Sequence, residues 1–256
     1  MKSKLRYLAS FAALLVAAAV VLGAGRAGAA AADDQDSAEK TERTLIEVLQ
    51  SDAPPQERAI TCKRLAIYGG KDAVPALAKL LADEKLASWA RIALEAIPDP
   101  AADEALRQAV GKLQGRLLVG VINSIGVRRD AKAVDVLAGR LKDADPQVAS
   151  AAAVALGRIG GAPAAAALEP SLAGAPGAVR GAVAEGCILC AEESLAGGDR
   201  EEAVRLYDLV RKTDVPKPRL IEATRGAILA RQSAGVPLLV EQLQSADKRM
   251  FGLALR

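Results

Sequence analysis

The segment EGCILCAEE, Glu185 to Glu193, sets Cys187 and Cys190 three residues apart. That spacing serves three chemistries: dithiol exchange, thioether attachment of haem, and half of a structural zinc site. Each needs something this chain lacks. Haem attachment requires a histidine directly after the second cysteine, where Ala191 stands. A thioredoxin-like dithiol follows a strand, and no alternating strand pattern precedes this pair. Zinc needs four ligands; Cys62 is distant and the chain contains no histidine. The same absence excludes Ser-His-Asp and Cys-His nucleophile systems and any histidine-ligated metal centre. Paired carboxylates remain, at Asp143 with Asp145, Glu192 with Glu193, and Glu201 with Glu202. Their placement reads as turn caps or a solvated helix face rather than as an acid–base pair. The glycines fall at hairpin ends, where they stop helices, and form no phosphate loop. The residues therefore predict no catalytic group, no cofactor and no metal.

The elements that hold these residues repeat. Ala133 to Gly161, AVDVLAGRLKDADPQVASAAAVALGRIGG, reads as an apolar-periodic helix, an Asp-Pro turn, a second such helix and a Gly-Gly stop. Asp145 is placed to cap the second helix, with Pro146 at its first position. Leu77, Leu106, Leu137, Leu168, Leu206 and Leu239 take equivalent places in successive first helices. A period near 30 residues is the mark of a stacked array. Second helices follow in EKLASWARIALEAI, LQGRLLVGVINSIG, DPQVASAAAVALGRIGG, PGAVRGAVAEGCILC and LIEATRGAILA. One hairpin cannot bury its own apolar stripe, so each must stack on its neighbours. Aligning VRGAVAEGCILC on VASAAAVALGRI puts Cys187 over Leu156 and Cys190 over Ile159, both core places, where cysteine acts as a small hydrophobe. An oxidisable thiol pair stays open as the alternative.

Composition fits such an array: 51% of residues are hydrophobic, but only 2% are aromatic, too few to stack on sugars or bases. Residues 1–29 read as a secretory signal peptide. Lys2, Lys4 and Arg6 precede the apolar run YLASFAALLVAAAVVLG, and small residues near Ala29 to Ala32 offer cleavage sites. No Arg-Arg pair precedes the run and no cysteine follows it, so the general secretory route is expected. An uncleaved membrane anchor is the rival, because about 17 apolar residues lie at the lower limit for a span. Removing Lys2, Lys4, Arg6 and Arg26 from the 34 basic residues leaves 30 against 31 acidic ones, a net charge of −1. That balance argues against nucleic acid and against a polybasic membrane surface as partners. Residues 30–40 read as a flexible polar lead-in.

Val148, Ala152, Ala155, Leu156, Gly157, Ile159 and Gly160, with Ala73, Val74, Pro75, Leu77 and Leu80 in a first helix, resemble HEAT and HEAT-like (PBS-lyase-type) repeats. The resemblance covers most of residues 41–256. It implies an all-α fold, a right-handed α-solenoid of stacked antiparallel helix pairs of the armadillo type. One departure is Ala149, where the family often carries the arginine that Arg180 supplies in the next unit. Another is GGDREEAVRLYDLVRKTDVP, which resembles the second helix of a tetratricopeptide hairpin through Gly198, Ala203 and Tyr207. A unit of that kind at about 187–212 would account for the long step from Leu168 to Leu206. The last repeat reads as incomplete, with Leu239, Leu243, Met250, Leu253 and Leu255 short of packing partners. Fraying after about Ala246 and self-association through this end follow as expectations.

What remains for function is a surface. The second helices of such solenoids commonly line the concave side, which these arrays use for binding. At about 100° per residue, Arg91, Arg116 and Arg225 fall on one outward flank, with Glu95, Glu185 and Glu222 on or near it. The expected function is a non-enzymatic, exported scaffold, periplasmic or extracellular, binding a protein partner through these residues. A first alternative makes the chain the interaction region of a larger exported protein, with a catalytic domain, for example a carbohydrate-active one, beyond residue 256. A second is a bilin-lyase-like HEAT protein, disfavoured by the export signal and the scarce aromatics. The missing histidines argue against HEAT-repeat di-iron hydroxylases, whose ligands include histidine.

Overall fold

The computed structural model describes residues 40–254. The segment read as a signal peptide, nearly all of the segment read as a polar lead-in and the last two residues lie outside them, as do the side chains of Leu253 and Ala254. Among the described residues there is no strand. A first helix, α1, runs over 40–50 and shares a cleft with α2, Pro55–Tyr68. Then come α3, Val74–Lys79; α4, Ala87–Ala96; α5, Pro100–Val110; α6, Gly115–Arg128; α7, Val134–Ala138; and α8, Pro146–Ile159. The chain continues with α9, Gly161–Gly174; α10, Gly177–Ala196; α11, Arg200–Arg211; α12, Lys217–Arg231; α13, Val236–Leu243; and α14, Lys248–Ala254. Short 3₁₀ turns extend α3 and α7 at both ends.

Successive pairs stack helix on like helix. The second helices α2, α4, α6, α8, α10 and α12 pack in that order, and the first helices α3 on α5 and α7 on α9. Leu77, Leu106, Leu137, Leu168 and Leu206 are fully buried, as the repeat predicts, and Leu94, Ile125 and Leu156 fill the second-helix side. Asp145 accepts a hydrogen bond from the Gln147 amide with Pro146 at the first position, and Asp99 caps α5 in the same way ahead of Pro100. Gly160 ends α8 at φ 72°, a left-handed value that glycine adopts without Cβ strain.

Three expectations change. Many glycines terminate nothing: Gly126, Gly157, Gly186 and Gly226 lie inside helices at close approaches. A Cβ on Gly157 would stand 2.5 Å from the Gly186 Cα, so α8 and α10 meet nearly backbone to backbone. Leu239 is only half-buried, unlike its five counterparts. Met250, expected to lack partners, is 8% exposed because α14 folds back on α13 and α12, and Lys217 pairs with Asp247 in the preceding turn. Around it Val236, Val240, Leu243 and Phe251 are exposed.

The long step from Leu168 to Leu206 coincides with a longer helix. α10 has 20 residues where α6 and α8 have 14. The segment 187–212 comprises the second half of α10, a turn capped by Asp199 on the Glu202 amide, and α11. α11 packs against both α10 and α12, and Tyr207 on it lies beneath Gly226.

Candidate functional site

Cys187 and Cys190 project from α10 into the core, 0% and 1% exposed. Burial pushes both thiols up to about 12, and that of Cys62 to about 11. A thiol so protonated is a poor nucleophile and a poor ligand. All three are free, and among the described residues no group of three or more cysteine, aspartate or glutamate side chains could hold a metal ion.

The carboxylate pairs have structural partners. Asp143 accepts from the Asp145 amide and from Arg140, which hold its carboxyl below the usual range. Glu193 accepts from the Gly161 amide, tying α10 to the start of α9. Glu202 takes two bonds from Arg205, whose guanidinium also reaches Glu169 on α9. Glu192 and Glu201 are exposed on helix faces.

Of the six charged residues expected on one flank, four fall into two clusters, and Arg116 and Arg225 belong to neither. Between α4 and α6, Arg91 donates to the Gly120 carbonyl at 3.1 Å and to Ser124 Oγ at 3.2 Å. Ser124, fully buried, donates to Glu95 at 2.6 Å. This is a polar clasp within the helix stack, with Arg91 and Glu95 about three-quarters covered. At the other end Arg219 on α12 donates to Glu185 on α10 and to Glu222. Arg116 pairs loosely with Glu84 at 3.4 Å where both are exposed, a contact of little energy. Arg225 is exposed on α12.

Sequence reasoning missed Ser124 and Arg219, which join these clusters. It also missed Arg128, whose guanidinium spans both oxygens of Asp103 and reaches the Leu94, Glu95, Ile97 and Asp99 carbonyls. Ser124 carried a readable signal: it is a hydroxyl at a core register where the following repeats have Ala155 and Gly186.

Between the clusters lies a groove whose lining carries no charged residue. It is shallow, ≈ 490 Å³, and lined by Val119 and Asn123 of α6, Pro146, Gln147, Ser150, Ala151 and Val154 of α8, and Ala178 of α10. Positions 92, 123, 154 and 185 recur at the repeat interval along this face, as Ile, Asn, Val and Glu. Ile92 is 46% exposed. The surface is thus apolar and small-residued in the middle, with ion-paired charges on both sides.

No curated protein matches the chain. Among solved structures it is similar to an engineered protein at 21% identity and a TM-score of 0.43, over 84% of this chain and 66% of that one, just under two thirds of its length. It is also similar to human deoxyhypusine hydroxylase in complex with glycerol, at 14% identity and a TM-score of 0.43 over 87% and 96% of the two chains. A second engineered protein aligns at 20% identity and a TM-score of 0.32, over 84% and 94%. The family model of HEAT repeats matches residues 115–187, from the start of α6 to Cys187 in α10. Stacked helix pairs continue on both sides of that segment, so the chain carries HEAT-like repeats over residues 115–187 within a longer array of helix pairs.

Proposed function

We propose that this protein is an exported, non-enzymatic scaffold that binds a segment of another protein along the face of its second helices. The observation that carries the reading is the uncharged groove from Val119 to Ala178, set between the Arg91–Ser124–Glu95 and Glu185–Arg219–Glu222 clusters. Repeat arrays present long surfaces that take extended or helical segments. Here small side chains leave room for a backbone to approach, and Ile92 and Val154 offer apolar anchors. The non-enzymatic part rests on the missing histidines and on carboxylates already engaged as caps and inter-helix ties.

The test is site-specific photo-cross-linking in the compartment where the protein resides. A photoreactive residue at position 154 should trap a partner, and one at position 104, exposed on the first helix α5, should not. Val154→Glu, which places a charge in the groove, should abolish a cross-link formed from position 123. Equal trapping at 104 and 154, or indifference to Val154→Glu, would overturn the proposal.

A further inference from the structure

Arg180, in the first turn of α10, ties two inter-helix turns together. Its guanidinium donates to the Ala175 carbonyl of its own turn at 3.0 and 3.2 Å, and to the Asp214 carbonyl of the next at 3.2 Å. The Asp214 carboxylate stands 3.6 Å away. One repeat earlier the same register is Ala149, and one earlier again Leu118; both are buried. Leucine fills that space with its own side chain, whereas alanine cannot.

A cavity of ≈ 480 Å³ opens at Ala149, between the turn that precedes α8 and the turn that precedes α10. Ala144 and Gly174 are among its lining residues. Ala144 is the repeat counterpart of Ala175, and Gly174 that of Asp214, each two residues before the proline that precedes its helix. The residues whose carbonyls hold the Arg180 guanidinium therefore have their equivalents on this wall. No turn hydrogen bond ends on the Ala144 or Gly174 carbonyl among the described residues. Asp143, on the same turn as Ala144, also lines the cavity and brings a carboxylate to its wall, as Asp214 brings one to Arg180 from the adjacent turn.

We propose that this cavity is a binding site for an alkylguanidinium group, the arginine side chain of the segment bound by the scaffold. The chemistry follows from the Arg180 site: two carbonyls on adjacent turns suit a planar fork of five donors better than a single ammonium. The walls of Pro146, Val179, Pro170 and Leu141 suit its methylene stem. The partial positive charge of a helix N-terminus opposes a cation here, as it does at Arg180, and the Asp143 carboxylate on the cavity wall counters it. Arg140 is committed to Asp143 and to the Val110 carbonyl, and Lys142, also a lining residue, is exposed. Pro146 lines both the cavity and the groove, so a segment in the groove can turn an arginine over it. The partner half of the proposal rests on the scaffold reading; the guanidinium half does not.

The experiment titrates the protein with N-acetyl-arginine methylamide and its lysine and norleucine analogues, following the amide resonances of Ala144, Ala149 and Gly174. The arginine probe should saturate at a Kd at least tenfold below the other two. Ala149→Arg should abolish that response and raise Tm by a few degrees, more than Ala149→Met, which fills the space without the fork. A norleucine response within twofold of arginine, or an arginine response that survives Ala149→Arg, overturns the site. If Ala149→Arg does not fold, the wild-type probe ratios decide alone. Ala149→Arg should also cut cross-linking from position 154 at least fivefold. An unchanged cross-link rejects a partner arginine while the scaffold reading stands, and no wild-type cross-link rejects the scaffold reading while the probes still judge the cavity.

Discussion

Replacing Arg128 by methionine keeps most of the side chain's volume and removes only the guanidinium. That group is 10% exposed and donates to both oxygens of Asp103, to the Leu94 carbonyl at 2.7 Å and to the Ile97 carbonyl at 2.6 Å. It closes the C-terminus of α4 onto α5 and α6, satisfying acceptors that the helix end leaves without intrahelical donors. Truncation strands a largely covered carboxylate and several carbonyls, so the cost should be about 3–5 kcal/mol, as for other buried pairs broken from one side. Arg128→Lys, which retains the charge but not the fork, should fall between wild type and methionine. Asp103→Leu added to Arg128→Met should recover part of the loss by removing the stranded charge. Urea unfolding measures the total, and hydrogen exchange locates it. Because repeats contact only their neighbours, protection should fall in α4 to α6 and persist in α12. A loss below about 1 kcal/mol, or a uniform loss along the array, would refute a local clasp and the reasoning from burial.

Gly157→Ala should destabilise by roughly 2–3 kcal/mol as overpacking, since its Cβ would meet Gly186 at 2.5 Å, whereas Gly139→Ala, whose Cβ would meet nothing within 4 Å and whose φ is −61°, should be neutral or slightly stabilising in the same melts. Cys187 and Cys190 should resist alkylation at pH 8 until denaturant is added, and replacing both with alanine should cost roughly 1–3 kcal/mol without loss of partner cross-linking. The folded thiols titrate near 11 to 12 against an ordinary 9.0. Their contribution is thus complete below pH 9 and lost as pH rises toward 12, and denaturation midpoints that stay flat above pH 9 would contradict it. N-terminal sequencing of the exported form should begin between Ala30 and Asp33; a cytosolic species starting near Lys2 would contradict export.

The sequence by itself determined the helix pairs, their period and the buried places of five repeat leucines and two cysteines. Those follow from local periodicity, from Asp-Pro caps such as Asp145–Pro146 and from glycine stops such as Gly160. It placed Arg91, Glu95 and Arg116 on a common flank because an angle around one helix says nothing about what the next helix brings. Stacking supplied Ser124 and Gly120 to Arg91, and Arg219 to Glu185, across 29 to 34 residues of sequence. Only that register, set by which side chains let neighbouring helices close, separated charges engaged in the stack from an uncharged groove between them. It also decided that Ala149 opens a cavity where Leu118 and Arg180 fill theirs. A side chain's size is written in the sequence, but the space around it belongs to the packing of helices from different repeats.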